Sequence, residues 1–217
     1  MNWDTLIQSI IIQAPPFLLA ISCHEAAHGW MAERLGDDTA RMLGRITLNP
    51  LKHLDPMGTM VFFLTMATMS IGFGWARPVP VTSRKFHNPR RDWLWVALAG
   101  PVANLVLAAL SAIGLHVLSG AVGPSTLVAR GSIVVPVALM LRMSVYINVL
   151  LAIFNLLPVY PLDGSHVLEG LLPLRQAVHF SRLKPYGFVI LLALIFTGFI
   201  DKILFPVVFL VTRMMAV

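Results

Sequence analysis

Long apolar segments separated by short polar loops restrict the fold of this chain more than any other feature. Of its 217 residues, 57% are hydrophobic and 12% are charged, whereas soluble domains are about 25% charged. The mean hydropathy is +0.79. Apolar runs of about 20 residues can cross a bilayer as helices. The sequence therefore predicts an α-helical polytopic membrane protein with about four to six membrane segments.

The predicted membrane segments belong to one domain that covers residues 1–217. They are, approximately, residues 5–35, 93–118, 133–157 and 186–212. The last of these is a C-terminal membrane helix outside a core of about residues 5–172. A shorter segment between core and helix extends to about Ser181.

The positions of Arg and Lys predict which loops face the cytoplasm. Loops 33–56 and 76–92 are both rich in these residues, which accumulate on the cytoplasmic side. With both loops on one side, the apolar residues 57–75 enter and leave the membrane there, as a re-entrant element. A full crossing by residues 57–75 is the alternative. The re-entrant arrangement also places the N-terminus and the C-terminus outside.

The net charge of +6 does not predict a nucleic-acid partner. The basic residues lie in loops beside apolar segments, where they set orientation in the lipid bilayer. The single cysteine, Cys23, excludes an internal disulfide. The sequence does not indicate an oligomeric state.

The first apolar segment contains the pattern HEAAH, in which Glu25 stands between His24 and His28. On a helix, two histidines four residues apart share a face and can bind one metal ion. Glu25 lies beside them and can remove a proton from a water on that ion. Ionisable groups inside a membrane segment are costly and are functional by default. The pattern therefore predicts a catalytic metal site.

A catalytic zinc site takes three protein ligands and a water, so one ligand must come from another segment. His28 lies six residues before Arg34, which places the ion about 9 Å inside the cytoplasmic boundary. Asp163 follows the cytoplasmic end of the segment 133–157 and reaches a similar depth. It is the first candidate for the third ligand. The other candidates are His53, Asp55 and His166.

Three stretches, HEAAH, ALAGPVANLVLA and FNLLPVYPLDG, resemble the site-2 protease family of intramembrane zinc metalloproteases. They follow the order of that family and lie within about residues 20–170. The likeness is to the minimal prokaryotic branch, which has no PDZ or CBS domain. It implies one zinc ion per chain, with the ligands His24, His28 and Asp163. It also implies that Glu25 is the catalytic base and that Asn155 and Asn104 hold substrate or shape the site.

The sequence RPVPV, residues 77–81, predicts a short β-like edge segment. Pro78 and Pro80 have no N–H, which confines such a segment to the edge of a sheet. An exposed edge can pair with an extended peptide. We therefore expect an unwound substrate to lie beside Pro78, Val79, Pro80 and Val81. A loop fixed by its prolines is the alternative.

The resulting hypothesis is a zinc-dependent intramembrane endopeptidase. Its substrate would be a membrane protein with a transmembrane helix, or a signal-peptide remnant. We expect it in a prokaryotic plasma membrane, with the active site nearer the cytoplasm. A divalent-metal transporter and a catalytically silent membrane adaptor of the same fold are the alternatives. A transporter needs several intramembrane acidic or histidine residues along a path, and an adaptor needs no intact HEAAH pattern.

Overall fold

The computed structural model describes residues 3–69, 72, 74–121 and 133–215. Within these residues, four helical stretches are apolar and long enough to cross a membrane, judged by length and composition. They are Trp3–Arg34, Pro89–Ala121, Val134–Asn155 and Leu174–Phe196. The described part of the chain forms helices and no strand. The prediction of an α-helical polytopic membrane protein is therefore confirmed.

Nine helices of the described residues are numbered here in chain order. They are α1 Trp3–Arg34, α2 Thr39–Met42, α3 Pro56–Met69, α4 Pro89–Ala121, α5 Val134–Asn155, α6 Asp163–Leu171, α7 Leu174–Ser181, α8 Gly187–Phe196 and α9 Phe199–Met214. Short 3-10 turns cover Pro50–Lys52, Ser83–Lys85 and Lys184–Tyr186.

Helices α1, α4 and α5 pack against one another and form the centre of the molecule. Small side chains lie fully buried on all three helices, which allows their backbones to approach closely. These residues are Ala20, Ala32, Ala108 and Ala152. An apolar cluster that includes Val145 and Val149 of α5 extends from this centre to Leu204 and Val208 of α9. The polar groups described below lie inside this frame.

The chain returns after α3 to the point where it entered. Leu54 and Ala76 form an isolated antiparallel bridge, and the Arg77 N–H donates to the His53 carbonyl at 2.8 Å. The 14 residues of α3 make a helix about 21 Å long, shorter than a hydrocarbon core of about 30 Å. The short helix and the bridge between its two ends are compatible with the re-entrant element, which stays a prediction.

The two basic loops contact each other. Lys85 Nζ is 2.5 Å from Asp38 Oδ1, and Arg45 donates to the Arg77 carbonyl at 2.6 Å. The expected β-like edge does not form a strand, because residues 77–81 alternate with prolines that cannot donate to a ladder. The segment is irregular chain held by side chains.

The predicted C-terminal membrane helix, residues 186–212, is not continuous. Helix α8 ends at Phe196, and α9 begins at Phe199. Gly198 between them adopts a φ of +67°, a left-handed conformation that ends helices and that glycine adopts readily. The prediction of a single helix is therefore wrong. Apolar residues lie on both sides of Gly198, so the hydropathy pattern did not indicate that the helix ends there.

Candidate metal centre and adjoining cavity

Helix α1 carries His24 and His28 on one face, one turn apart. Their ring centroids are 4.6 Å apart, and their Nε2 atoms are 3.0 Å apart. Both side chains are buried against α4. The helical spacing thus brings two metal-binding nitrogens to one point.

Asp163, the first residue of α6, brings a carboxylate to the same point. Its Oδ2 atom lies 3.1 Å from His24 Nε2 and 3.4 Å from His28 Nε2. One ligand atom from each of the three residues lies within 4.8 Å of the other two. The first candidate for the third ligand is therefore adjacent to the histidine pair, although it lies 135 residues beyond His28.

The other candidates for the third ligand are engaged elsewhere. The Nε2 atom of His53 is 2.8 Å from the Thr47 carbonyl. Asp55 accepts a hydrogen bond from the first turn of α3. His166 Nδ1 is 2.6 Å from Trp93 Nε1. The structure thus groups none of the three with the histidine pair.

The outer nitrogens of both imidazoles are held by hydrogen-bond acceptors. His28 Nδ1 is 2.7 Å from the Val96 carbonyl, which can only accept, so this nitrogen carries the hydrogen. The Asn104 amide donates to the Ala20 carbonyl at 3.2 Å, so its Oδ1 faces His24 Nδ1 at 2.5 Å. In the neutral rings both Nε2 atoms therefore carry lone pairs, as metal-bound histidines require.

With both imidazoles neutral, the two Nε2 atoms and Asp163 Oδ2 are three acceptor atoms that face one another. Asp163 Oδ2 is buried and has no hydrogen-bond partner among the described residues. Such atoms repel unless a cation lies between them. Tetrahedral ligands at about 2.0–2.1 Å from zinc lie about 3.3 Å apart, close to the 3.0–3.4 Å found here. The two nitrogens and one oxygen therefore fit a zinc ion.

Helix α4 makes room for the imidazoles at Gly100. A Cβ atom there would lie 2.4 Å from His28 Nε2 and 2.7 Å from His24 Cε1. Gly100 lies four residues from both Val96 and Asn104, so these three positions form one stripe along α4. Asn104 was among the residues predicted for the site, whereas the contacts that Val96 and Gly100 make with the histidines were not predicted. The four-residue spacing within VALAGPVAN is the signal that could have indicated them.

A buried network extends from the candidate metal centre along α4 and α5. The Asn104 amide donates to Asn148 Oδ1 at 2.7 Å, and Asn148 donates to the Ser144 carbonyl at 2.8 Å. The Ser144 and Ser111 hydroxyls are 2.8 Å apart. Asn104 is 0% exposed and its Oδ1 lies beside His24, which favours the alternative that it shapes the site over the alternative that it holds substrate.

A cavity of about 240 Å³ adjoins the three candidate ligands. Its wall includes five residues predicted for catalysis or substrate binding, namely Glu25, Asn155, Pro78, Val79 and Val81. Pro80, the remaining residue of the predicted segment, does not line it. The irregular segment is thus part of the site although it is not a strand.

The sequence pattern of Peptidase family M50 matches residues 14–198, which include the histidine pair and Asp163. The chain belongs to peptidase family M50, the site-2 protease family. The family resemblance noted in the sequence is therefore confirmed.

Named relatives of this M50 chain include three bacterial proteins. "Putative zinc metalloprotease YwhC" of Bacillus subtilis (strain 168) is 39% identical over 189 residues, which cover 87% of this chain and 82% of the relative. "Putative zinc metalloprotease Rip2" of Mycolicibacterium smegmatis is 31% identical over 195 residues, covering 89% and 70%. Rip2 of Mycobacterium tuberculosis (strain H37Rv) is 27% identical over 200 residues, covering 89% and 70%. No solved structure matches the chain significantly.

Two further contacts define the cavity of this M50 chain. Glu25 Oε2 accepts the Val79 N–H at 2.7 Å, which fixes the carboxylate against the irregular segment. Across the cavity, His166 packs against Trp93. Burial, reinforced by the charge of Lys184, lowers the pKa of His166 below its ordinary value and favours the neutral ring.

Proposed function

We propose that this chain is a zinc-dependent intramembrane endopeptidase that hydrolyses peptide bonds in or near transmembrane segments of membrane proteins. The proposal rests on the grouping of His24, His28 and Asp163. The Asp163 Oδ2 atom of this group is buried and accepts no hydrogen bond from a described residue. All three residues line one cavity together with Glu25. The choice of zinc, one ion per chain, is supported by the donor set and by the names of the relatives.

The proposed roles follow from the chemistry of each side chain. His24, His28 and Asp163 hold the ion, which when bound acidifies a water and polarises the scissile carbonyl. Glu25 Oε2 is held by the Val79 N–H, which leaves Oε1 to accept a proton from the attacking water. Glu25 then returns that proton to the departing amine.

The irregular segment and Asn155 are the proposed substrate contacts. No described residue donates a hydrogen bond to the Val79 carbonyl. An N–H group of an unwound substrate can donate to this carbonyl, as in the addition of a strand. The Asn155 amide donates to the Leu151 carbonyl at 2.9 Å, which leaves its Oδ1 for a substrate N–H. Suitable substrates have helix-breaking residues near the cut, because an intact helix shields its carbonyls.

We place the enzyme in a prokaryotic plasma membrane with its active site towards the cytoplasm and both termini outside. The bacterial relatives support the membrane, and the two basic loops support the orientation because they meet beside the cavity. Water and the released product would then use the cytoplasmic side.

The test combines zinc content with cleavage of a transmembrane reporter in liposomes. Wild type should hold about one zinc ion per chain, and Asp163→Ala should lose most of it, because a catalytic zinc site needs three ligands. Glu25→Gln should keep zinc and insert normally but cleave nothing. Asp38→Ala, at an exposed carboxylate outside the site, is the control.

Each departure from this pattern points to a different error. Cleavage retained by Glu25→Gln would exclude the general base, and unchanged zinc in Asp163→Ala would move the third ligand. A folded wild type that binds no added zinc would support the adaptor. Zinc-driven flux across the liposome membrane would support the transporter.

A further inference from the structure

Trp93 and His166 form a pair on the cavity wall that the proposed chemistry does not use. Trp93 Nε1 lies 2.6 Å from His166 Nδ1, and the rings meet edge to face at 78°. An indole N–H can only donate, so His166 Nδ1 is the acceptor. A neutral imidazole with Nδ1 as acceptor carries its hydrogen on Nε2. The contact with Trp93 therefore selects one tautomer.

The surroundings of His166 maintain that state. Tyr160 packs edge to face on the imidazole, with ring centroids 5.6 Å apart. Glu169 Oε2 is 3.7 Å from Nδ1, but it accepts from the Tyr160 hydroxyl at 2.9 Å and pairs with Lys184 at 3.0 Å. The acid nearest to the ring is thus already engaged by other donors, and Trp93 remains the partner of Nδ1.

The second ring nitrogen is available to a ligand. His166 lines the same cavity as Asp163, which lies three residues before it on α6. Residues three apart on a helix share a face, so a molecule bound at Asp163 lies within reach of the imidazole. No described residue accepts a hydrogen bond from His166 Nε2. A cavity-lining imidazole whose Nε2–H has no partner among the described residues can serve as a donor to a molecule bound there.

We propose that His166 donates its Nε2–H to a carbonyl oxygen of the substrate beside the metal centre, with Trp93 as the residue that positions it. This inference rests on the proposed function. Peptide hydrolysis places negative charge on the scissile carbonyl oxygen, and a donor fixed beforehand stabilises that charge. The step is a hydrogen bond alone, so His166 neither gains nor loses a proton. It is a second electrophilic group beside the ion.

Three variants separate a donor from a structural residue. His166→Phe removes the donor and keeps a planar ring, His166→Gln keeps an amide N–H of similar reach, and Trp93→Phe removes the group that selects the tautomer. We expect His166→Phe to lower kcat about 100-fold on the reporter, with KM and zinc content unchanged. His166→Gln should recover at least about a tenth of the wild-type kcat, and Trp93→Phe should lower kcat about tenfold.

An independent readout uses no cleavage. In protein labelled with 15N-histidine, the His166 ring should give the spectrum of the Nε2–H tautomer, identified by its absence in His166→Gln. Trp93→Phe should shift this signal towards a mixture of tautomers. An Nδ1–H tautomer in the wild type would overturn the inference.

The kinetic outcomes distinguish the inference from the proposed function. An active wild type with an equally active His166→Phe variant would overturn the donor role alone. Equal losses in His166→Gln and His166→Phe, or loss of zinc in either, would make His166 a structural residue or a ligand. A wild type that binds zinc and cleaves no transmembrane reporter would overturn the proposed function instead.

Discussion

The two sides of the metal centre are built differently. Behind His24, the side chains of Asn104, Asn148 and Ser144 are buried and bonded to one another, which leaves no group for a ligand. In front, Asn155 and His166 line a cavity and keep hydrogen-bonding atoms free. The rear thus fixes the geometry of the candidate ligands, and the front is suited to a substrate. Changes behind should weaken metal binding, whereas changes in front should slow turnover with the metal in place.

The largest expected effect comes from Gly100→Ala at the rear. The added methyl group would lie 2.4 Å from His28 Nε2, far inside van der Waals contact, so the imidazoles must move. We expect zinc content to fall close to zero and cleavage to disappear. Gly114→Ala on the same helix is the control, because its Cβ would meet Leu141 at an ordinary 3.6 Å. Full zinc occupancy in Gly100→Ala would show that the ligands do not depend on this packing.

A smaller effect is expected from Asn104→Leu, which removes the acceptor of the His24 Nδ1 hydrogen. Loss of such an outer partner weakens metal binding about 10–100-fold. Cleavage should therefore fall at limiting zinc and recover with excess zinc. Asn148→Ala should weaken zinc less, because the Asn104 contacts to His24 and Ala20 remain. If Asn104→Leu kept the zinc affinity of the wild type and lowered kcat, the result would support a substrate contact for Asn104.

The contrast between Asn104 and Asp163 shows what the sequence could predict. The HEAAH spacing and the depth of Asp163 predicted the grouping of three candidate ligands, because helix geometry fixes both. Whether Asn104 faced the cavity or α5 depended on the rotation of α4 within the bundle. The four-residue spacing places Val96, Gly100 and Asn104 on one stripe of α4, but it does not show which neighbouring helix that stripe faces. The Trp93 and His166 contact joins residues 73 apart and likewise had no local signal.

At the front, Val79→Pro tests the link between Glu25 and the irregular segment. It removes the N–H that Glu25 Oε2 accepts at 2.7 Å, so the carboxylate should lose its fixed position. We expect kcat to fall about tenfold, a change of about 1.4 kcal/mol, with zinc content unchanged. Val79→Ala keeps the N–H and serves as the control. Zinc loss in Val79→Pro would show that front and rear are not independent.

The smallest expected effect on zinc and cleavage concerns Asp37. Its carboxylate accepts the N–H of Thr82, the residue that follows the irregular segment 77–81. Burial opposes ionisation of Asp37, but hydrogen bonds from Thr39 and from the Thr82 N–H at 2.6 Å outweigh it and lower its pKa. Because the folded pKa lies below the unfolded value of about 3.9, the ionised group stabilises the fold above that pH. This contribution to stability is lost as the pH falls through the lowered pKa of folded Asp37. Near neutral pH, Asp37 should therefore not make stability depend on pH.

Asp37→Asn should remove that stabilisation at neutral pH without disturbing the metal. An amide nitrogen in place of Oδ2 cannot accept the Thr82 N–H, and a buried donor left without a partner costs about 1–3 kcal/mol. We expect a lower melting temperature, a weaker dependence of stability on acid, and zinc content equal to that of the wild type. Asp38→Asn, at the exposed carboxylate that also pairs with Lys85, should change stability little because solvent screens it. Equal melting temperatures for the two variants would show that Asp37 does not hold the irregular segment in place. The bond from Arg45 to the Arg77 carbonyl would then be the contact that holds it.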